Sequence, residues 1–482
     1  MEYLADSCRP PTYLQSLCIT YLDATRGDAK ADPPHHLRRI RSSDSYSISS
    51  SRTSSTSIEG ESDCHTSRVA DIKLSSTPAI STDALGGKLV DLLRRRYERR
   101  ASSVENHDRV TSLDGAALLA TYTPSHARHM GGGEISRTVD INSVDFDQFS
   151  LRDSELVPAV VGVFESLGLC RGMGITTEQL SKLARNGLSL YLKQPYHNVR
   201  HAFDVFQAVN VLLSGTGLVK TASQTELFSL LIAALLHDVG HPGLTNDFHE
   251  RKETPYAVLA KSKQDSSDKL SFKPNEYCHC EISQRLLLGD DGLLPRGHFP
   301  EELRTEVGRL VQQLIFATDP TTQNSFLGVL DKRMEEGLDM NSKLPEDRLL
   351  VLSLIIRCAD VFHPVRPFRL HRLWAYRITE EFAQQAKLES ARHGLPVPKS
   401  PKLGQATTGF LNALVNPLYT RFAKLFRPSS YVFVHNLCQR LTAVQQIWQS
   451  YDSMLKMREE ALMSPTVVGS PDKLAWNPSA TL

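Results

Sequence analysis

Three separated stretches of the chain carry side chains able to hold a metal ion or move a proton. The first reads Tyr196-His197-Asn198-Val199-Arg200-His201-Ala202-Phe203-Asp204-Val205. As a helix it sets His197 and His201 four apart on one face, from which two imidazoles can reach one metal site. Alone, a pair at that spacing is more often two surface or core histidines than two ligands. The second stretch is His237-Asp238-Val239-Gly240-His241-Pro242-Gly243. An unpaired buried Asp238 would be costly, and a divalent cation among the flanking imidazoles is its natural partner. A salt-bridged structural aspartate is the competing reading. The third is Arg357-Cys358-Ala359-Asp360. One imidazole from the first stretch, His237 and Asp238 from the second, and Asp360 from the third make a mixed nitrogen and oxygen set. Such a set suits zinc or a harder ion, and a carboxylate in it can bridge two metals.

These groups meet only if longer elements deliver them. Leu227 to Leu236 is an apolar run, interrupted only by Ser229, that ends at His237, and Gly240, Pro242 and Gly243 stop a helix there. Leu349 to Ile356 repeats the pattern before Asp360, with Pro364 and Pro367 just beyond. From about Val144 apolar residues recur at helical spacing and strand alternation is almost absent. Thr176-Thr177-Glu178 and Asn341-Ser342 read as helix starts. We therefore expect an all-α domain over 145–460. Lys261 to Asn275, polar and aperiodic, reads as a surface insertion. Arg392 to Thr408, with three prolines, reads as a second loop.

The ends differ in texture. Ser42 to Ser57 is dominated by serine, and such a stretch cannot bury enough apolar surface to order itself. Residues 1–140 are expected to be mostly disordered, with a short helix near 84–100 and a frayed tail over 464–482. Arg99-Arg100-Ala101-Ser102 resembles a site for a basophilic kinase, where phosphate on Ser102 would pair with neighbouring arginines. Lys and Arg total 55 against 54 Asp and Glu, so the balance argues against a chain built to grip nucleic acid or an acidic membrane. No window reaches the roughly 18 apolar residues of a membrane helix. Glu2, Asp6 and Arg9 interrupt any signal-peptide pattern, so a cytoplasmic protein is the expectation. The eight cysteines form no C-x-x-C pair and read as free, mostly buried thiols.

The order of motifs is similar to that of the class I 3′,5′-cyclic nucleotide phosphodiesterases. It runs His-Asn-x-x-His-Ala-x-Asp-Val at 197–205, His-Asp-x-Gly-His-Pro-Gly-x-x-Asn at 237–246, Ala-Thr-Asp at 317–319 and Cys-Ala-Asp at 358–360. The resemblance covers about two thirds of the chain, from Asp145-Phe146 to the Tyr451 region. It implies a compact many-helix catalytic domain of the HD type. It also implies two divalent ions, Zn2+ at a tight site and Mg2+ or Mn2+ at a second. His201, His237, Asp238 and Asp360 match the ligands of the tight ion, and Asp238 also the carboxylate touching the second. His241, Asn246, His279 and Asp319 match positions that hold waters or line the same pocket. His197 matches the general acid, and Glu276 the carboxylate expected to orient it. A hydroxide bridging the metals would attack phosphorus while His197 protonates the leaving O3′.

Departures cluster where the base would sit. Aligned on Gly409-Phe410, Thr407 takes the place of a family glutamine that grips the purine edge, and Gln405 lies two positions early. One hydroxyl cannot reproduce an amide fork. Phe410 and Phe382 match pocket aromatics, and His363 stands where cyclic-AMP-selective members often carry asparagine. Tyr277 and Cys278 replace residues of a Glu-Asn-His-His run, and Gln385-Ala386-Lys387 replaces Gln-Gly-Asp. The expected function is hydrolysis of a 3′,5′-cyclic nucleotide, cyclic AMP ahead of cyclic GMP. The alternatives are a metallohydrolase for another phosphate ester and a weakly active nucleotide-sensing or scaffold protein. The residues do not decide the oligomeric state.

Overall fold

The computed structural model describes residues 140–263, 273–393 and 396–463. The segments expected to be disordered or frayed at the two ends, the helix near 84–100 and Ser102 lie outside the described residues. Every regular element among the described residues is helical. The first five α-helices are α1 (Asp153–Ser166), α2 (Leu169–Gly172), α3 (Thr177–Ser189), α4 (Val199–Thr216) and α5 (Gln224–Leu236). Then come α6 (Asn246–Lys252), α7 (Pro255–Lys263), α8 (Pro274–Leu288), α9 (Glu301–Ala317) and α10 (Gln323–Glu335). The last five are α11 (Pro345–Asp360), α12 (Phe368–His393), α13 (Leu403–Phe410), α14 (Asn416–Phe426) and α15 (Tyr431–Met463). None among the described residues is long and apolar enough to cross a membrane.

Helix α5 is apolar all round because it is enclosed all round. Every residue from Leu227 to Leu236 is buried, with α4, α9 and α11 packed against it. Each fully buried leucine in it, Leu230 or Leu235 for example, contributes about 2 kcal/mol. Its start is set by a capping box: Ser223 Oγ accepts from Glu226 N at 3.1 Å, and Ser223 N donates to the Glu226 carboxylate at 2.7 Å. That carboxylate also receives a two-pronged bond from Arg348 in the first turn of α11, at 2.8 and 2.9 Å. Glu226 precedes Asp238 by twelve positions, and Arg348 precedes Asp360 by twelve. One ion pair therefore aligns the starts of two buried helices, and about 18 Å further on their ends emerge together.

A second buried pair fixes α4 to the turn after α11. Arg366, 2% exposed, meets Asp204 at 2.6 Å and donates to Gln207 Oε1 at 2.6 Å. Its guanidinium also lies over Phe362, 4.9 Å from the ring centre. Asp204 stands one turn beyond His201, so this contact holds the histidine's backbone in place.

Several expected boundaries shift. His197 is not on α4: Asn198 is its N-cap, accepting from Arg200 N at 2.8 Å, so the helix begins at Val199. Asn341-Ser342 does not start a helix, because Pro345 takes the first helical position of α11. The expected insertion is ordered at both ends. Lys261 to Lys263 finish α7, Pro274 and Asn275 open α8, and Lys273, Pro274 and Asn275 are all buried. Leu403 to Thr408, expected in a loop, belongs to α13, whose first amides at Gly404 and Gln405 are accepted by Asp452 at 2.9 Å.

Glu226 sits below the ordinary carboxylate range. Burial would raise it, but Arg348 and Ser223 hold the charged form. A depressed carboxylate stabilises the fold above its unfolded pKa, and the gain is lost as pH falls through the folded value. Glu226→Gln is expected to cost about 2 kcal/mol at pH 7. The gap in urea midpoint should close below about pH 4; a gap that ignores pH would mean that packing, not charge, was lost.

Candidate metal centre

Four side chains from three helix termini converge. His201 comes from the first turn of α4, His237 and Asp238 follow the last residue of α5, and Asp360 ends α11. His201 Nε2 lies 3.3 Å from Asp238 Oδ2 and 3.2 Å from Asp360 Oδ1. His237 Nε2 lies 3.1 and 3.3 Å from the same two oxygens. The two imidazole nitrogens are 3.3 Å apart. A tetrahedron with ligands about 2.0 Å from its centre has edges of about 3.3 Å. These atoms thus stand where four ligands of one ion would stand, and the nitrogen and carboxylate donor set fits a divalent metal. The His237 ring is oriented by its own helix. Its Nδ1 bonds Ala234 O at 3.0 Å, which leaves Nε2 facing the cluster.

The electrostatics agree. Burial alone would lower the pKa of His237, yet Asp238 and Asp360 push it well above its usual value. Burial would raise Asp360, but His201 and His237 bring it down to about 2. Asp238 is likewise held low against burial, by His237 and His197. The two carboxylates stay charged and draw positive charge to the spot. A dication would meet that demand better than a proton.

Around the cluster stand three more imidazoles. His279 Nδ1 bonds Val239 O at 2.8 Å, so its bare Nε2 faces Asp238 Oδ1 at 3.7 Å with no protein donor between them. Two facing acceptors call for a water or cation between them. His241 accepts from Gly243 N at Nδ1, 3.0 Å away, and its ring stacks on His197 with centres 4.0 Å apart. Gly240 and Gly243 both adopt positive φ, 80° and 75°, which lets the chain double back after Asp238 and return His241 to the site.

His197 points Nε2 at Asp238 Oδ2, 4.0 Å away. Its Nδ1 makes a short bond to Glu381, not to Glu276. Glu381 is 3% exposed and its other oxygen accepts from the backbone N–H of Tyr196 and His197 at 2.9 and 3.0 Å. Burial would lower His197, but Glu381 and Asp238 lift it to about 9. Glu276 instead accepts from Asn246 Nδ2 at 2.8 Å. Burial, with the Asp319 carboxylate nearby, raises it to about 7. The expected partnership of Glu276 with His197 is therefore corrected. Glu276 lies in the first turn of α8, tied to the start of α6, whereas α12 carries Glu381 across to the His197 backbone. The sequence signal was a carboxylate directly before Phe382.

Asp319 is fully buried and meets Lys273 Nζ at 3.4 Å, while Arg357 donates to its backbone oxygen at 3.4 Å. Neither cation was singled out in the sequence. His363 stacks on Phe410, ring centres 5.5 Å apart and planes 5° from parallel. Thr407 is buried on the Phe410 side of α13, while Gln405 is exposed on another face. Phe382, next to Glu381, is 55% exposed.

Comparison with known proteins meets this geometry. The family model for 3′5′-cyclic nucleotide phosphodiesterase matches residues 196–437, which include all four converging ligands. The chain is 28% identical over 325 residues to the 3′,5′-cyclic-nucleotide phosphodiesterase regA of Dictyostelium discoideum, covering 66% of this chain and 38% of that protein. It is 31% identical over 232 residues to the probable 3′,5′-cyclic phosphodiesterase pde-1 of Caenorhabditis elegans, covering 46% and 32%. The chain thus spans less than half the length of these curated relatives. The crystal structure of the phosphodiesterase domain of the RhoPDE fusion protein from the choanoflagellate Salpingoeca rosetta matches with a TM-score of 0.57 at 25% identity, covering 65% of this chain and 97% of that one. With half the chain matched and the metal-ligand geometry in place, the chain belongs to the 3′5′-cyclic nucleotide phosphodiesterase family.

Proposed function

We propose that the chain hydrolyses a 3′,5′-cyclic nucleotide to the 5′-monophosphate, cyclic AMP first and cyclic GMP second. The observation that carries this reading is the placement of His197, locked by Glu381, 4.0 Å from a carboxylate of the four-ligand cluster. His201, His237, Asp238 and Asp360 would hold Zn2+. Asp238, with His241 and His279 close by, would face a second ion, Mg2+ or Mn2+, through water. Bound there, divalent ions supply Lewis acidity and an activated water. The chain's own residues do the rest. Glu381 keeps Nδ1–H of His197 engaged and the ring charged, so Nε2–H is aimed into the site. That proton goes to the departing O3′, which leaves poorly as an alkoxide. The stacked His241 ring limits rotation of His197. Phe410 and His363 offer a flat wall for the base. Glu276 and Asn246 brace the starts of α8 and α6 beside the site rather than touching the acid.

A purified protein should release 5′-monophosphate from cyclic AMP and stop when EDTA removes metal. Asp360→Ala should abolish turnover and lower bound metal measured by mass spectrometry; full activity in this variant would sink the ligand assignment. His197→Ala should slow turnover by about 10²–10⁴-fold with metal content kept. A panel of other phosphate esters, run alongside, tests the second reading. Thr407 in place of an amide favours that reading, and preference for a non-cyclic ester would establish it.

The two glutamates separate cleanly. Glu381→Gln removes the charge that holds His197 protonated, so kcat is expected to fall about tenfold or more with little change in KM. Glu276→Gln should leave His197 engaged and cost far less in kcat. The reverse ranking would restore Glu276 as the orienting carboxylate.

A further inference from the structure

A chain of three buried rings runs away from the wall beside Phe410. Trp448 of α15 is 1% exposed, His371 of α12 is sealed, and His363, in the turn after α11, is 3% exposed. Indole Nε1–H only donates. The nitrogen it meets, His371 Nε2 at 2.6 Å, must therefore be bare. Burial holds His371 far below its usual pKa, at about 3, and pushes His363 well below as well, so both rings are neutral. Neutral His371 then carries its hydrogen on Nδ1, which lies 2.7 Å from Nδ1 of His363. That contact leaves His363 Nδ1 as acceptor and puts the remaining hydrogen on Nε2. His363 Nε2 makes no hydrogen bond among the described residues, yet it is not one of the sealed polar atoms without a partner. The His363 ring is 6.1 Å from Tyr196, itself 4.6 Å from the ring of His201.

We propose that Trp448 and His371 are positioning residues that lock His363 in the Nε2–H form, so that the wall beside Phe410 presents a fixed hydrogen-bond donor and selects a ring with an acceptor on the facing edge. An amide can turn and offer either donor or acceptor. This relay cannot, because an indole N–H at its buried end has one polarity. The inference deepens the proposed function: it assumes that a nucleotide phosphate occupies the metal centre and that the base lies against Phe410. It assigns discrimination to the tautomer of His363, now that Thr407 stands where the amide would be.

The tautomer is read directly by long-range proton–nitrogen NMR on the protein labelled with 15N-histidine. A protonated Nε2 and bare Nδ1 on His363 support the relay; a protonated Nδ1 overturns it, whatever the activity. The second readout is binding of cyclic AMP analogues in which each ring nitrogen in turn is replaced by C–H. One analogue should bind about tenfold more weakly than cyclic AMP. The difference should shrink to about twofold or less in Trp448→Phe, or in His371→Leu should the first variant fail to fold. Uniform binding of all analogues by the wild type overturns the selective role. The expected tautomer in a protein that binds no cyclic nucleotide upholds the relay and overturns the substrate class.

Discussion

Two imidazole nitrogens, 3.3 Å apart and each 3.1–3.3 Å from two carboxylate oxygens, are the constraint on which the molecule turns. Four lone-pair donors at that spacing repel unless positive charge stands between them. Asp238 and Asp360 raise His237 well above its usual pKa, a sign of how strongly the spot favours positive charge. All else in the fold either brings these atoms together or arranges what happens beside them.

Bringing them together falls to helices that end in the right place. A helix end offers a side chain in open space with its backbone still anchored, which suits a ligand better than a mid-helix position facing packed neighbours. Helices α5 and α11 are aligned at their starts by the Glu226 and Arg348 pair, and their equal lengths from that pair deliver Asp238 and Asp360 to one point. Helix α4 enters from the opposite direction and contributes His201 from its first turn, braced by Asp204 and Arg366. The apolar bodies of these helices make the site rigid, since shifting one ligand would disturb a close-packed core.

Beside the cluster, the chemistry is divided between two long-range contacts. Glu381 reaches His197 from a helix 184 positions further along the chain. Trp448 reaches His363 through His371. Both use a buried partner to remove a histidine's freedom, in one case of charge and in the other of tautomer. Glu276 shows the contrast. It lies on the same helix as His279 and near the site, but its bond to Asn246 spends it on joining two helix starts.

The helical class, the two apolar runs and the residues that end them were legible from periodicity and from glycine and proline stops, because those signals are local. The convergence of His237, Asp238 and Asp360 was legible because imidazoles and carboxylates after apolar runs have few other reasons to be there, while the choice of His201 over His197 came from the family resemblance. Boundaries near Pro345, Pro274 and Leu403 were not, since capping by a distant Asp452 or burial of polar Asn275 is decided by tertiary partners. Nor could the chain order say which glutamate meets His197, or that Lys273 and Arg357 enclose Asp319. Those pairings depend on where helices far apart in sequence cross. Local residue types supplied the imidazoles and carboxylates, and the packing of α12 and α15 decided which distant groups hold His197 and His363.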